Sequence, residues 1–402
     1  MPNSSLFRMF HVKHSSPDVA EAAEAPDASS VSPRRMFHVK HRGSRVMATA
    51  LLAVTLFATG CASIQSPEGW AAPVKVDEQV LVQSSKGQVS LVNPDTGATA
   101  WTFPSDDDKG HVFYATPILD DRAAYLADYS GRITRLNIAE GGPQEGWVVE
   151  LDSHVVATPA FEAGTLYVPT ADGRIVLIQG SDGAILNTLK TSDQRIWGQP
   201  ALREGSIFVG DLDNGVTTAL DTATGDVEWA QEISGPTAAD LVLDGDLLIA
   251  GAFDQFIHAL DVSDGGAERW AFPGDGWFLA RPLVHEGVVY APNMSGSVFA
   301  IDRETGEEVW SFRADDAQFR AGAVMQGENL IVVARDGRVF ALNPADGSVT
   351  WVQDATVEGN VNANPLVSGD DIYLVTSQHD LVRVDAARQG AFQNVPLTAA
   401  DR

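Results

Sequence analysis

The stretch "VNPDTGATAW" (residues 92–101) returns as "LDTATGDVEW" (220–229), "IDRETGEEVW" (301–310) and "LNPADGSVTW" (342–351). Each copy reads apolar residue, Asp or Asn, turn residues, Gly, three residues, Trp. Asp and Asn bond their own backbone two residues on, and Gly takes φ > 0 with no Cβ clash, so the middle of the phrase is a tight turn. The phrase belongs to a longer unit. Residues 157–191, "ATPAFEAGTLYVPTADGRIVLIQGSDGAILNTLKT", hold four short apolar or alternating runs separated by "ADG" and "SDG" turn signals. Such runs, rich in Val, Ile, Tyr and Thr, read as strands. Four antiparallel strands per repeat make a propeller blade.

Two markers set the register. The first is the turn before the third strand: Gly87, Gly131, Gly173, Gly215, Gln255, Gly296, Gly337 and His379. The second is a small residue opening the first strand: Ala71, Ala115, Ala157, Gly198, Ala238, Ala280, Ala321 and Ala363. Both recur every 40–44 residues, which predicts an all-β, eight-bladed β-propeller over 70–397. The small residue suits first strands that crowd around a central axis. The Trp slot holds Trp101, Trp147, Trp229, Trp270, Trp310 and Trp351, with Asn187 in the third unit. An indole there can lie between neighbouring blades with its N–H bonded to the next turn, so these aromatics read as structural. The last unit lacks the Trp, as a terminal repeat does, yet it must close the ring to remove exposed strand edges.

The 402 residues carry a formal charge of −27, and the first 46 hold seven Lys/Arg and four Asp/Glu, leaving the remainder at −30. That balance disfavours duplex nucleic acid and anionic membrane surfaces as partners. The single cysteine, Cys61, ends "MATALLAVTLFATGC" (47–61). A basic flank, a short apolar run and small residues make a secretory signal. The run is shorter than the ~20 residues of a membrane span. Its "ATGC" end resembles a bacterial lipoprotein signal, which implies lipidation of Cys61 and a tether over 62–69. The departure is Ala58, where such signals usually have Leu.

The leader 1–46 repeats "MFHVKH" at 9–14 and 36–41 in a Ser/Pro/Ala-rich context with no fold of its own. The codons ATG TTT CAC GTG AAA CAT would encode it as a perfect inverted repeat. That repeat resembles the centromere-like site of bacterial chromosome partition. The leader then reads as disordered or as mis-annotated DNA signal, with initiation at Met36 or Met47.

The phrase A/L-D-x-x-T-G-x-x-x-W resembles the PQQ-like repeat of quinoprotein propellers. Eight such repeats behind a lipoprotein signal resemble the BamB family, propeller lipoproteins of the outer-membrane β-barrel assembly machinery. The resemblance implies an extracytoplasmic, membrane-anchored scaffold that binds protein partners in the cell envelope. It would lie on the periplasmic face of an outer membrane, or on the outer face of the cell membrane in a single-membrane host. Two alternatives stay open: a PQQ-dependent quinoprotein dehydrogenase, and a ligand-binding sensor. The dehydrogenase class looks like a PQQ site with calcium, a catalytic Asp and often a disulfide of adjacent cysteines, and one cysteine cannot supply that disulfide. Asp and Asn abound as turn residues, their ordinary job.

No H-E-x-x-H, G-x-S-x-G, P-loop or C-x-x-C occurs. His111, His154, His258, His285 and His379 are scattered and read as surface or turn residues. "SDDDKG" (105–110) lacks the alternating ligands of a calcium loop. No catalytic residue, metal or cofactor is therefore expected, and a monomeric propeller is.

Binding is expected where each outermost strand crosses to the next innermost one. The residues just before the small marker are Trp70, Tyr114, Val156, Trp197, Thr237, Leu279, Arg320 and Asn362, a ring at the mouth of the central channel. Tyr114, Trp197, Arg320 and Asn362, with Trp277 and Phe278 of "PGDGWFLARP" (273–282), are the candidate partner-binding residues, since Trp, Tyr and Arg dominate interface hot spots. Plugging the funnel or packing between blades is the other reading of the same ring. The leader makes a direct prediction: the gene should spell both MFHVKH copies with those six codons, and a run of synonymous codons there would end the DNA-signal reading.

Overall fold

The computed structural model describes residues 71–395 except 85–86, 106–110, 140–141 and 192–193. The leader, the signal with Cys61, the tether, Trp70 and most of "SDDDKG" lie outside the described residues. What is described is eight four-stranded antiparallel sheets, each with its strands in sequence order. Blade 1 comprises β1 (Val74–Val76), β2 (Gln79–Ser84), β3 (Gln88–Val92) and β4 (Thr99–Phe103). Blades 2 to 8 follow over 118–150, 160–190, 201–232, 242–273, 283–313, 324–353 and 366–395. The second strand of a blade is buried along most or all of its length, as in "AAYLA" (123–127) and "LLIAG" (247–251), and the third over most of its residues, because blades stack face to face on both sides of them. That is why they read as continuous apolar runs and not as alternation. The outer strands keep one side in water and alternate.

All eight residues of the hairpin marker have positive φ. Gln255 (φ 74°) and His379 (φ 66°) adopt the conformation that their six glycine counterparts take. The turn is tight because the segment leaving the blade runs beside it. A Cβ on Gly131 would stand 2.3 Å from the Ser153 carbonyl oxygen, and one on Gly296 2.6 Å from that of Ala314.

The other turn receives the tryptophan of the preceding blade. The Trp147, Trp270 and Trp310 indole N–H groups donate to the carbonyls of Gly180, Arg303 and Pro344 in the next blade, at 3.0, 2.9 and 2.9 Å. The ring lies flat on the turn glycine: a Cβ on Gly306 would sit 2.6 Å from Trp270, and one on Gly347 2.5 Å from Trp310. Asn187 keeps the polar half of this joint, donating to the Ala223 carbonyl at 3.3 Å. Ile185 and Leu186 beside it are about half exposed, as are Val227, Val309 and Val349 at the same positions of blades that carry the indole. In blades 1 to 7 the outer pair carries a register shift just after the Trp-slot pairing, whereas blade 8, with no Trp, pairs without one.

Closure is made by side chains, since blade 8 draws all four strands from 366–395. Val80, Val82 and Val92 of blade 1 pack with Tyr373, Val375, Leu381 and Val395 of blade 8. Lys75 donates to Ser368 at 2.7 Å, and Arg383 pairs with Asp95 at 2.8 Å while also holding Asp371.

The small-residue marker slips by one in blade 5. In the other seven blades it precedes the first strand by three residues, so the equivalent residue before Val242 is Ala239 and not Ala238. Its carbonyl oxygen would lie 2.2 Å from a Cβ on Gly198, which is why blade 4 uses glycine.

Two glycines separate conformational from steric demand. Gly205 (φ 91°) has open space around its would-be Cβ, whereas Gly306 (φ 72°) abuts Trp270. Gly205→Ala should cost about 1–2 kcal/mol, the left-handed penalty alone. Gly306→Ala should cost clearly more, read as a lower urea midpoint at unchanged m-value. Equal losses would contradict the indole joint.

Candidate functional site

The direction of the polypeptide sorts the loops. One end of the propeller carries the hairpins between first and second strands and the turns that receive indoles. The other end carries the hairpins between second and third strands and the connectors that cross to the next blade. On this second face, the hairpin of every blade from 2 to 8 donates a backbone N–H to the connector entering that blade. Examples are Tyr129 to Val112, Met294 to Trp277 and Ser377 to Asn360, at 2.7, 3.0 and 2.7 Å. The connectors are therefore held firmly, although their side chains differ.

Each connector enters the funnel extended, so its side chains alternate. Phe113, Val155, Ile196, Thr237, Phe278, Phe319 and Val361 point in and are at most 5% exposed. The next residues, Tyr114, Val156, Trp197, Ala238, Leu279, Arg320 and Asn362, line a central cavity of about 70 Å³. The small marker follows, pointing in again. A second set then faces the same cavity: Thr116, Thr158, Asp240, Arg281 and Asn364.

This alternation corrects two expectations. Phe278 offers nothing to a partner, because it is an anchor buried against Ile257, Phe272 and Ile301. Thr237 belongs to the same anchor ring, and Ala238 takes its place on the lip. The structure brings Tyr114, Trp197, Arg320 and Asn362 together on one cavity. Trp277 stands apart and half exposed, edge-on to Phe253 with ring centroids 5.4 Å apart. It lines a groove of about 300 Å³ with Asp275 and Met294. Met294, Ser295 and Gln318 also border a neighbouring groove of about 510 Å³ that reaches Arg313, Arg335 and Asn360.

The second set escaped the sequence reading, although its signal was present: it is the middle residue of the A-x-P phrase. It knits the blades together. The Thr116 and Thr158 hydroxyls accept the N–H groups of Ala72 and Thr116, both at 3.0 Å. Asp240 accepts that of Gln199 at 2.9 Å, and Asn364 that of Gly322 at 2.7 Å.

Arginines gather on this face. Arg195 lies over the Trp197 ring at 5.6 Å and pairs with Asp213, whose carboxyl it holds below the usual range. Arg313 pairs with Asp275. Burial pulls the Arg320 guanidinium below its ordinary value; Asp240 opposes this and Arg335 adds to it. Arg320 donates to the Leu279 carbonyl at 2.8 Å, and Arg335 to Asn362 at 3.1 Å and Gln318 at 3.0 Å.

A quinone with calcium fits poorly here. The central cavity is small beside the roughly 300–1,000 Å³ of small-molecule sites. Among the described residues, no three of His, Cys, Asp and Glu gather where they could hold a metal ion. The repeat acids are engaged with their own turns: Asp221 accepts from Ala223 and Thr224, and Asp302 from Glu304 and Thr305. His258 is a further correction. It is buried, 2.6 Å from Glu268 and 2.9 Å from Asp254, because two carboxylates compensate its burial.

Residues 54–272 and 238–396 match the family described as outer membrane protein assembly factor BamB. The chain belongs to the BamB family. The BamB of Yersinia pestis is 22% identical over 80% of this chain and 78% of its own length. That of Bordetella pertussis is 24% identical over 81% and 86%. Among solved structures, BamB from Moraxella catarrhalis superposes with a TM-score of 0.65 at 22% identity, covering 77% of this chain and 94% of that one. The computationally designed Ika8 protein gives 0.68 at 16%, covering 78% and 95%. At these identities the two structures establish the shared fold.

The turn acids carry a pH signature. Hydrogen bonds from Ser263 and the Arg269 guanidinium lower Asp261 from 3.8 to about 2. A carboxyl depressed on folding stabilises above its unfolded pKa and loses that contribution as pH falls through the folded value. Urea midpoints should therefore fall between about pH 4 and pH 2, and Asp261→Asn should flatten that slope.

Proposed function

We propose that this protein is a non-catalytic scaffold of membrane-protein assembly in the cell envelope, one that holds protein partners on its funnel face. Membership of the BamB family supports the assembly role. The observation that carries the choice of face is the half-exposed Trp277 against Phe253, bordering continuous grooves beside the funnel. A large aromatic left half in water next to Met and Arg is the composition of an interface hot spot. Extracytoplasmic placement follows from the secretory signal, and the lipid on Cys61 would hold the propeller at the membrane. No cofactor is assigned.

The opposite face suits partners less. Its hairpins carry acids at nearly every tip, such as Asp77 and Glu78, Asp120 and Asp121, and Asp370 and Asp371. Its turn glycines Gly183, Gly266, Gly306 and Gly347 are already covered by indoles.

A photo-crosslinking residue at Trp277 should capture a discrete envelope protein in intact cells, whereas one at Thr305 on the opposite face should not. The reverse pattern would overturn the choice of face. Cys61→Ser should move the protein from the membrane fraction to the soluble extracytoplasmic fraction. Dye reduction by the protein supplied with PQQ and calcium would overturn the non-catalytic reading.

A further inference from the structure

The charges around the funnel run against the rest of the molecule. In a protein of net charge −27, the described arginines are mostly matched to carboxylates. Arg174 holds Asp152 and Asp172, Arg269 holds Asp246 and Asp261, and Arg383 holds Asp95 and Asp371. Among the described residues the cavity wall carries Arg281, Arg320 and Asp240. Asp240 already accepts the Gln199 N–H at 2.9 Å. Arg335 stands behind, its hydrogen bonds made to the amide oxygens of Asn362 and Gln318. Arg281 is exposed, and among the described residues its guanidinium makes no hydrogen bond or ion pair.

From this arrangement we infer that the funnel seats a carboxylate of the bound partner, with Arg281 and Arg320 as its cationic ligands. The inference rests on the funnel face being the protein-binding surface. A guanidinium presents a planar fork that matches a carboxylate in two parallel hydrogen bonds. A cavity of about 70 Å³ has room for a carboxylate head and little more. Polar Thr116, Thr158 and Asn364 line the same space, where attraction between charges exceeds that in open water. Burial lowers the Arg320 guanidinium, and an incoming anion would offset that cost. Trp197 and Tyr114 on the lip supply apolar walls for the stem of the residue that delivers the carboxylate.

Two sources share this chemistry: the side group of an Asp or Glu, and the free C-terminus of a polypeptide. Three short peptides separate them. One has a blocked N-terminus, neutral side chains and a free C-terminal carboxylate. The second is blocked at both ends and carries one Glu. The third replaces that Glu by Gln. Binding to the full-length protein in detergent is read from the arginine Nε–H signals in NMR. At least one carboxylate peptide should bind saturably and the Gln peptide should not. Arg281→Gln, an exposed position, should weaken binding about tenfold or more, and Arg320→Gln should do the same. Equal binding of the Gln peptide, or affinity unchanged in both variants, would overturn the inference. If crosslinks from Trp277 persist in a protein that binds no carboxylate peptide, the carboxylate site fails and the scaffold reading stands.

Discussion

Everything in this molecule depends on one joint: an indole laid flat on the turn glycine of the following blade. Blades do not share strands, so no sheet ladder runs from one blade to the next, and backbone bonds between blades pass through the connectors. The ring is held by apolar side chains between sheets, by the indole joint at the rim and, at the funnel, by bonds such as those that the Thr116, Thr158, Asp240 and Asn364 side chains accept from the preceding blade. The joint needs three things at once. The Trp must project between blades, the turn must lack a Cβ, and a carbonyl must face the indole N–H. Trp270 with Gly306 and Arg303, and Trp310 with Gly347 and Pro344, meet all three. Blade 3 shows what remains when the indole is absent. Asn187 retains the hydrogen bond to the next blade without the area that an indole ring would cover.

A rigid ring permits an irregular face. The connectors are pinned at their backbones by the hairpins of the blades they enter and at their side chains by a buried anchor. Between those pins, the lip and the A-x-P middle positions are free to vary. The result is a funnel with Tyr, Trp, Leu, Arg and Asn on one ring and Thr, Asp, Arg and Asn on the next. Variation confined to positions of fixed geometry is how a symmetrical scaffold acquires a specific surface. At the seam between blades 8 and 1 the indole is missing, and Arg383 bridging Asp95 and Asp371 stands beside an apolar cluster that includes Val82 and Val375.

Much of this was legible in the residues. The eight turns were marked even where Gln255 and His379 stand in for glycine, because spacing outweighs identity in a repeat. The structural role of the tryptophans followed from their fixed distance to the turn. The connector of blade 5 lacks the Pro of A-x-P and offers two alanines in succession, so its phase is ambiguous by one residue in the sequence. That displaced the lip from Ala238 to Thr237. Phe278 and Trp277 are adjacent and alike in composition, and sequence alone does not say which one faces in. The contribution of Arg281 was invisible while the ring was read as one residue per blade.

The sequence by itself determined the number of blades, the turns and the joints between blades, because each is a local pattern repeated at one period. Tertiary structure decided which connector side chains reach the funnel. An extended segment turns every second side chain the same way, and only packing of the anchors beneath the hairpins sets that phase. It also decided that Arg281 and Arg320, some 40 residues apart in sequence, line one cavity, with Arg335 on the neighbouring groove. Charges so far apart in sequence meet only because the ring curves back on its own axis.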